Sequence, residues 1–425
     1  MNKYGFIVTI MVVLTLGNAQ LANANRPQAV SEPSQADSIR SFQAHIPEAE
    51  LSELRRRINE TKWPDRETVK DQSQGTQLET MKELARYWAK DYDWRKFEAK
   101  LNGYPQYITN IDGLDIHFIH VRSKHKGALP IILTHGWPGS FVEMMKIIDP
   151  LSNPTAYGGK ASDAFDVVIP SLPGYGFSEK PTEPGWGPDR IANAWIELMK
   201  RLGYTKYVAQ GGDWGAIITD LMAVKAPEGL IGVHSNMPGT VPADIEKALH
   251  CGDSMPDGLS PEEKRAYEQL QFFNKHLGYA ELMGTRPQTL TALADSPIGL
   301  AAFLLDHDEK SLKLMSDAFR GKPGGLSRDE ILDDITLYWL TNTAISSARL
   351  YWENKYPFFG VKGVKIPTAV SVFPDELYEA PRSWAEQAYP KLYYYNVLDK
   401  GGHFAAWEQP ALFTNELRSA FRKLR

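Results

Sequence analysis

The run Val208-Ala209-Gln210-Gly211-Gly212-Asp213-Trp214-Gly215-Ala216 reads as a strand that turns sharply into a helix, with a glycine two residues to either side of an aspartate. Such a turn needs small neighbours, here Gly211 and Gly215, and leaves the central side chain standing at the sheet's edge, the form of a nucleophile elbow. A carboxylate presented there can attack an alkyl carbon and form an ester that water must later hydrolyse. The plainer alternative is that Asp213 only caps a helix N-terminus. Gly-x-x-x-Gly spacing by itself does not separate the two.

A second segment, Leu133-Thr134-His135-Gly136-Trp137-Pro138-Gly139-Ser140, follows an apolar strand and precedes a helix. Pro138 fixes this loop, with a cis bond before it as one way of doing so. A loop of this kind presents a backbone N–H, that of Trp137, beside the N–H of Trp214, and together they form an oxyanion hole. A Gly/Pro turn without chemistry is the competing reading. His135 lies ahead of the turn and reads as structural.

The third segment is Lys400-Gly401-Gly402-His403-Phe404-Ala405-Ala406-Trp407-Glu408-Gln409-Pro410, after the last strand. A histidine in a glycine-preceded loop can swing toward the elbow, and the chain order nucleophile, acid, histidine is one of the known triad orders. Of the ten histidines, His403 alone has the position of a base. Its acid should follow the preceding strand, where Asp375 and Glu376 are adjacent. Neighbouring side chains point apart, so one of them serves.

Positioning these groups requires a sheet. Tyr107–Thr109 and Leu114–Val121 alternate as strands about an Asp112-Gly113 turn. Leu129–Thr134 is a mostly apolar run suited to burial on both faces. Helical and strand patterns then alternate: helix Phe141–Leu151, strand Asp166–Ile169, helix Asp189–Leu202, strand Tyr207–Gln210, helix Gly215–Lys225. That alternation implies an α/β architecture, a parallel sheet flanked by helices. Strand signals vanish between about Pro238 and Thr343, where Pro-punctuated helices make an insertion, and return at Thr368–Phe373 and Leu392–Val397 before a terminal helix from Pro410. Ahead of the sheet lies a helical leader: Leu51, Leu54 and Ile58 share one face, a second helix fits Gln77–Tyr92 with Thr76 and Glu79 spaced as a capping box, and a third fits Trp94–Leu101.

The chain has 425 residues, 43% hydrophobic and 23% charged, which supports a large core. Lys and Arg number 47 against 52 Asp and Glu, a net charge of −5, so no basic field exists to hold nucleic acid or an anionic membrane. The lone Cys251 excludes an intrachain disulfide framework and a cysteine-clustered metal site. Nothing in the residues asks for a metal or an organic cofactor. Lys3, the apolar run Gly5–Leu16 and Ala22-Asn23-Ala24 have the order of an export signal over 1–24, and residues 25–41 read as an Ala/Ser/Pro/Gln linker. The expectation is an exported protein, periplasmic or secreted, with membrane association confined to an uncleaved N-terminal anchor as the alternative. The apolar run is too short to span a ~30 Å hydrocarbon core.

Taken together, these motifs resemble the α/β-hydrolase epoxide hydrolases of the microsomal and juvenile-hormone type. The resemblance runs from about Ile46 to the C-terminus and rests on several stretches. These are Trp63-Pro64-Asp65, Asn110–His120, His135–Ser140, Pro173-Gly174-Tyr175-Gly176-Phe177-Ser178, Gly212-Asp213-Trp214-Gly215 and Gly401–Ala406. It implies an α/β-hydrolase fold with an N-terminal helical extension over 42–106, a core over 107–237 and 344–425, and a helical cap over 238–343. It also implies that Asp213 is the nucleophile and His403 the base. The Phe-Pro-x-Glu-Leu pattern at Phe373–Leu377 selects Glu376 as the acid. Two cap tyrosines that hold the epoxide oxygen fall on Tyr279 in Leu277-Gly278-Tyr279 and on Tyr351 in Arg349–Asn354.

The tyrosine pair also makes chemical sense, because ring opening produces an alkoxide, a poor leaving group near neutral pH that weak acids must protonate as the C–O bond breaks. The implied partners are a small lipophilic epoxide and water, the product a vicinal diol. A haloalkane dehalogenase shares the Asp/His machinery but needs N–H donors for halide, not two phenols. An exported binding protein that kept the fold without turnover is the alternative of another class.

Overall fold

The computed structural model describes residues 38–276, 278–322 and 324–425. The expected signal over 1–24, and the linker as far as residue 37, lie outside the described residues.

The described residues form one sheet of β1 (Arg40–Phe42), β2 (Gln106–Ile111), β3 (Leu114–Val121), β4 (Leu129–Thr134), β5 (Phe165–Pro170), β6 (Tyr207–Gly211), β7 (Leu230–Ser235), β8 (Thr368–Val372) and β9 (Leu392–Val397), in the order β1-β2-β3-β5-β4-β6-β7-β8-β9. β1, β2, β3 and β5 pair antiparallel, and every pairing from β5 to β9 is parallel. This is the parallel sheet flanked by helices expected from the alternating patterns, and the α/β-hydrolase architecture that the resemblance implies. β2 and β3 join through Asp112 and Gly113, both at positive φ (53° and 83°), as a two-residue hairpin turn requires. The centre of the sheet is dry: Ile131, Ile132, Leu133, Val167, Val168, Ile169, Val208 and Ala209 are all fully buried. β4 and β6 lie side by side, with Thr134 paired to Gly211. Both functional loops therefore leave the same end of adjacent strands.

Several expected boundaries move. Arg40 and Ser41, placed in the linker, form β1 with Phe42 by backbone pairing to β2. β7 was not anticipated, because Gly232 and His234 break its apolar signature. In the fold His234 is buried against Ser371 Oγ at 2.9 Å, and a Cβ on Gly232 would meet Leu424 at 2.4 Å. The capping box expected from Thr76 and Glu79 does not form: the helix begins at Leu78, whose N–H donates to Glu67 at 3.1 Å. The cap runs past residue 343. A bridge between Val241 and Gly360 closes its neck, and the helix Ala344–Glu353, expected in the core, packs Tyr351 against Tyr279 of the helix Gly278–Thr285.

The leader positions the cap over the site. Its helices span Glu48–Asn59, Leu78–Lys90 and Trp94–Asn102. Trp88 Nε1 donates to Thr336 Oγ1 at 2.9 Å, Tyr92 to Asp333 at 2.9 Å and Tyr87 to Asp329 at 2.7 Å, all on the cap helix Arg328–Leu340. That helix in turn reaches the loop after β4, where Ser140 Oγ donates to Asp334 at 2.5 Å and Tyr338 donates to the Gly139 carbonyl at 2.8 Å. Among the described residues no helix is long and apolar enough to cross a membrane.

Candidate active site

Asp213 sits at φ 51° and ψ −128°, a conformation that a non-glycine residue holds only when its surroundings enforce it. The enforcement comes from the flanking glycines. A Cβ on Gly211 would lie 2.0 Å from the Gly215 carbonyl oxygen, and one on Gly215 would lie 1.9 Å from that of Thr134. The Asp213 side chain makes no capping bond to the helix Trp214–Lys225, which removes the plain N-cap reading. Instead its Oδ1 accepts the Trp137 N–H at 2.7 Å, and the nearby Trp214 amide also favours the charged carboxylate. The Trp137–Pro138 peptide is cis. The two expected oxyanion donors thus both act on the Asp213 carboxylate, with the Trp137 N–H bound to Oδ1.

His403 and Glu376 arrive from the loops after β9 and β8. Glu376 Oε1 lies 2.6 Å from His403 Nδ1 and accepts the Leu377 N–H at 2.9 Å. His403 Nε2 faces Asp213 Oδ2 at 3.7 Å. Asp375, the other candidate acid, points outward with its side chain half exposed near Lys310. The Asp375 N–H donates to the Gly401 carbonyl at 3.1 Å, tying the acid's loop to the base's, and Glu408 accepts the Gly402 and Phe404 N–H groups at 3.0 Å. His135 is structural: its Nδ1 meets the Gly136 carbonyl at 3.0 Å, its Nε2 accepts the Leu172 N–H at 3.2 Å, and burial pushes it down to about 4.

The electrostatics set the resting protonation. Burial opposes charge on both Asp213 and His403. For His403, the charge and hydrogen bond of Glu376, with Asp213 and Asp308, outweigh burial and raise the imidazolium to about 10. For Asp213, burial raises the carboxyl against the opposing charge of His403. The two groups titrate as a unit, and its resting form is the carboxylate facing the imidazolium.

Tyr279 and Tyr351 come from two cap helices and line, with Asp213, a cavity of about 300 Å³. Tyr279 stacks on Trp137 with ring centroids 4.9 Å apart, and Tyr351 meets Trp214 edge-on at 4.7 Å. The two rings meet edge-on with centroids 6.1 Å apart, and burial, reinforced by the nearby Asp213 charge, holds Tyr279 well above the usual phenol range, as it does Tyr351. Both therefore keep their protons. Most of the remaining wall is apolar, with Val241, Leu249, Leu270, Phe273, Phe358 and Phe359, while Glu246, His250, Asn274, Glu281 and Asn354 also line it.

Two groups at the site escaped the sequence reading. Glu143, buried behind the Gly136 amide, is pushed up to about 8 by burial and by the Asp334 charge, so it is a neutral acid at pH 7. Only its place three residues after Ser140 could have pointed to it. His307 lies in Leu305-Asp306-His307-Asp308-Glu309, a stretch that looks like a solvated acidic turn, yet its side chain is wholly buried and its ring lies 4.3 Å from that of His403. Among the described residues, Asp213, His307 and His403 bring metal-ligand atom types within 4.8 Å of one another.

Residues 39–144 match the family described as the epoxide hydrolase N terminus, and residues 130–259 the alpha/beta hydrolase fold. A protein of Stigmatella aurantiaca, provisionally named an epoxide hydrolase, is 54% identical over 91% of this chain and 86% of that one. Epoxide hydrolase 1 of Sus scrofa is 36% identical over 95% and 92%. The crystal structure of juvenile hormone epoxide hydrolase from the silkworm Bombyx mori superposes with a TM-score of 0.80 at 33% identity, over 91% of this chain and 96% of that one. With a nucleophile elbow bearing aspartate, a His–Glu pair behind it and relatives this similar along nearly its whole described length, the chain belongs to the epoxide hydrolase family of the α/β-hydrolase fold.

Proposed function

We propose that this protein opens lipophilic epoxides to vicinal diols through a covalent ester on Asp213. The observation that carries the reading is the division of labour around one carboxylate: Oδ1 is held by the Trp137 amide, Oδ2 is left for attack, and two protonated phenols share a mostly apolar cavity with it. Oδ2 attacks an epoxide carbon while Tyr279 and Tyr351 donate to the oxygen, and one phenol proton passes to the nascent alkoxide. Water then gives a proton to His403, oriented by Glu376, and its oxygen adds to the Asp213 carbonyl carbon. The former Oδ1 becomes the oxyanion, already bound to the Trp137 N–H and with the Trp214 amide beside the carboxylate. Collapse releases the diol. Hydroxyl donors across the cavity suit an oxygen leaving group, which favours an epoxide over a haloalkane. The apolar walls favour lipophilic substrates as a class.

The test is intact-mass analysis and peptide mapping after mixing the wild type and His403→Gln with a panel of lipophilic epoxides. The variant should hold an adduct of the epoxide's mass on the Asp213 peptide while the wild type releases diol. Absence of both adduct and diol across the panel refutes the reading. We also propose, from Lys3, the apolar run Gly5–Leu16 and Ala22-Asn23-Ala24, that residues 1–24 export the chain and are then removed. Peptide mapping of fractionated cells should find the mature N-terminus near Asn25 in the exported fraction, and full-length chain confined to the cytosol refutes it.

A further inference from the structure

The cavity above Asp213 carries acidic charge in its walls as well as at its catalytic end. Glu246 and His250 stand one turn apart on the helix Ala243–Cys251 and both line it, and His250 Nδ1 donates to the Glu246 carbonyl at 2.9 Å. Glu281, in the first turn of the helix Gly278–Thr285, lines it as well. Glu246 is half-buried, His250 and Glu281 are exposed, and Asp213 is buried, so the two glutamates lie on the way in from solvent.

No lysine or arginine is among the described residues that line this cavity. The cation beside Glu246 is Lys362, and it sits behind the wall. Its Nζ donates to the Phe358 and Gly360 carbonyls at 3.2 and 2.8 Å, and its charge is shared with the buried Asp220. An anion entering the cavity therefore meets two carboxylates ahead of the nucleophile's own and no matching cation. Between apolar walls such repulsion is weakly screened, and like charge is one of the means by which a site rejects a substrate.

Resting on the epoxide-opening reading above, we propose that Glu246, with Glu281, is a charge filter: the enzyme takes neutral and cationic lipophilic epoxides and turns away those bearing a free carboxylate. Epoxy fatty acids are then poor substrates, and the same chains become good ones as esters or when an ammonium replaces the carboxylate. Glu246 sets specificity and takes no part in either bond-making step.

The experiment measures kcat/KM for one medium-chain terminal epoxide ending in a carboxylate, its methyl ester or a trimethylammonium group. It is run below micelle-forming concentrations and at about pH 8, above the ordinary histidine range. The wild type should favour the ester over the acid by about tenfold or more, with the ammonium compound at least equal to the ester. Glu246→Gln should shrink the ester-to-acid ratio severalfold, and adding Glu281→Gln should shrink it further. Raising salt from about 0.01 to 1 M should compress the wild-type ratio more than that of the double variant. Glu228→Gln removes the same charge just ahead of β7, at the opposite end of the strands from the elbow, and should leave the ratio where it was. A wild-type ratio of about one overturns the proposal. So does a large ratio that neither the two glutamine variants nor salt can move, because dehydration of the carboxylate would then be the cause. A wild type that turns over none of the three compounds, nor any uncharged epoxide, instead sinks the epoxide reading, so the two failures are distinguishable.

Discussion

One tight contact at the site lies between a glycine and the nucleophile's side chain, and it gives a prediction whose size follows from the structure. A Cβ on Gly136 would lie 2.2 Å from Asp213 Oδ1, 2.4 Å from its Cβ and 2.6 Å from its Cγ, against an ordinary contact of 3.4–4 Å. The carboxylate must therefore retreat by about 1 Å, and Oδ1, now 2.7 Å from the Trp137 N–H, passes beyond the ~3.2 Å limit of a sound hydrogen bond. Losing one donor of this kind costs about 2.7–4 kcal/mol of transition-state stabilisation, or about 10²–10³ in rate. Gly136 lies outside the positive-φ region, so alanine adds no backbone strain of that kind. Gly136→Ala should fold and yet form ester and release diol at least about 100-fold more slowly. Gly278→Ala is the control, because its Cβ would meet nothing within 4 Å although Tyr279 is its neighbour. Single-turnover mass spectrometry reads the ester, and thermal melts report the fold. A folded Gly136→Ala protein with wild-type ester formation would refute the placement of the carboxylate against the loop.

Glu376→Gln removes the charge that holds His403 in its orientation, so ester should accumulate as hydrolysis slows by about 100-fold while ester formation changes little, a split readable by rapid quench. Tyr279→Phe and Tyr351→Phe should each slow ester formation by about tenfold or more and the double variant should nearly abolish it. Because both phenols are held well above their usual range, wild-type ester formation should not fall between about pH 7 and 9 through phenol ionisation. Glu143 is raised from 4.5 to about 8, so the native state holds its proton more tightly than the unfolded chain and loses stability as pH climbs through that window. Glu143→Gln does not titrate, and its stability advantage over the wild type should grow by an amount on the order of a few kcal/mol between about pH 5 and 9. A gap in melting temperature that stays constant with pH would contradict this.

What the sequence made legible was local. Gly211, Gly215 and Asp213 disclose the elbow because a tight strand-to-helix turn tolerates only small neighbours, and Asp112-Gly113 discloses the hairpin because both positions need positive φ. Residue types alone left Asp375 and Glu376 open, since both are acids in the right loop. The backbone decides between them by joining Asp375 to Gly401 and turning Glu376 inward. β7 was hidden by Gly232 and His234, whose suitability depends on Leu424 and Ser371 far along the chain. His307 was hidden for the same reason: a histidine among acids looks solvated until the cap folds back and lays its ring on His403. The cap's C-terminal boundary was misplaced because the helix carrying Tyr351 has nothing in its periodicity to say which layer it joins.

The charge arrangement also explains how one histidine can be both imidazolium at rest and base during turnover. His403 is held at about 10 because Glu376, Asp213 and Asp308 together outweigh the cost of burying its charge. Its proton suits the resting enzyme, since it keeps the buried Asp213 ionised and nucleophilic. Esterification removes the Asp213 charge, 3.7 Å from His403 Nε2, and does so inside a site where charges are weakly screened. The support for the imidazolium drops at that moment, while its burial cost remains. The proton passes to the phenolate that ring opening leaves, and the neutral Nε2 becomes able to take one from water only after there is an ester to hydrolyse. The order of the two steps is thus written into the carboxylate itself: while charged it attacks, and once esterified it releases the base that frees it. Its pH signature follows with the sign fixed. Ester hydrolysis should titrate with an apparent pKa below that of the resting His403, with the rate rising as pH passes through it and levelling above. A trapped ester whose hydrolysis became fast only near pH 10 would show that esterification leaves the base unchanged.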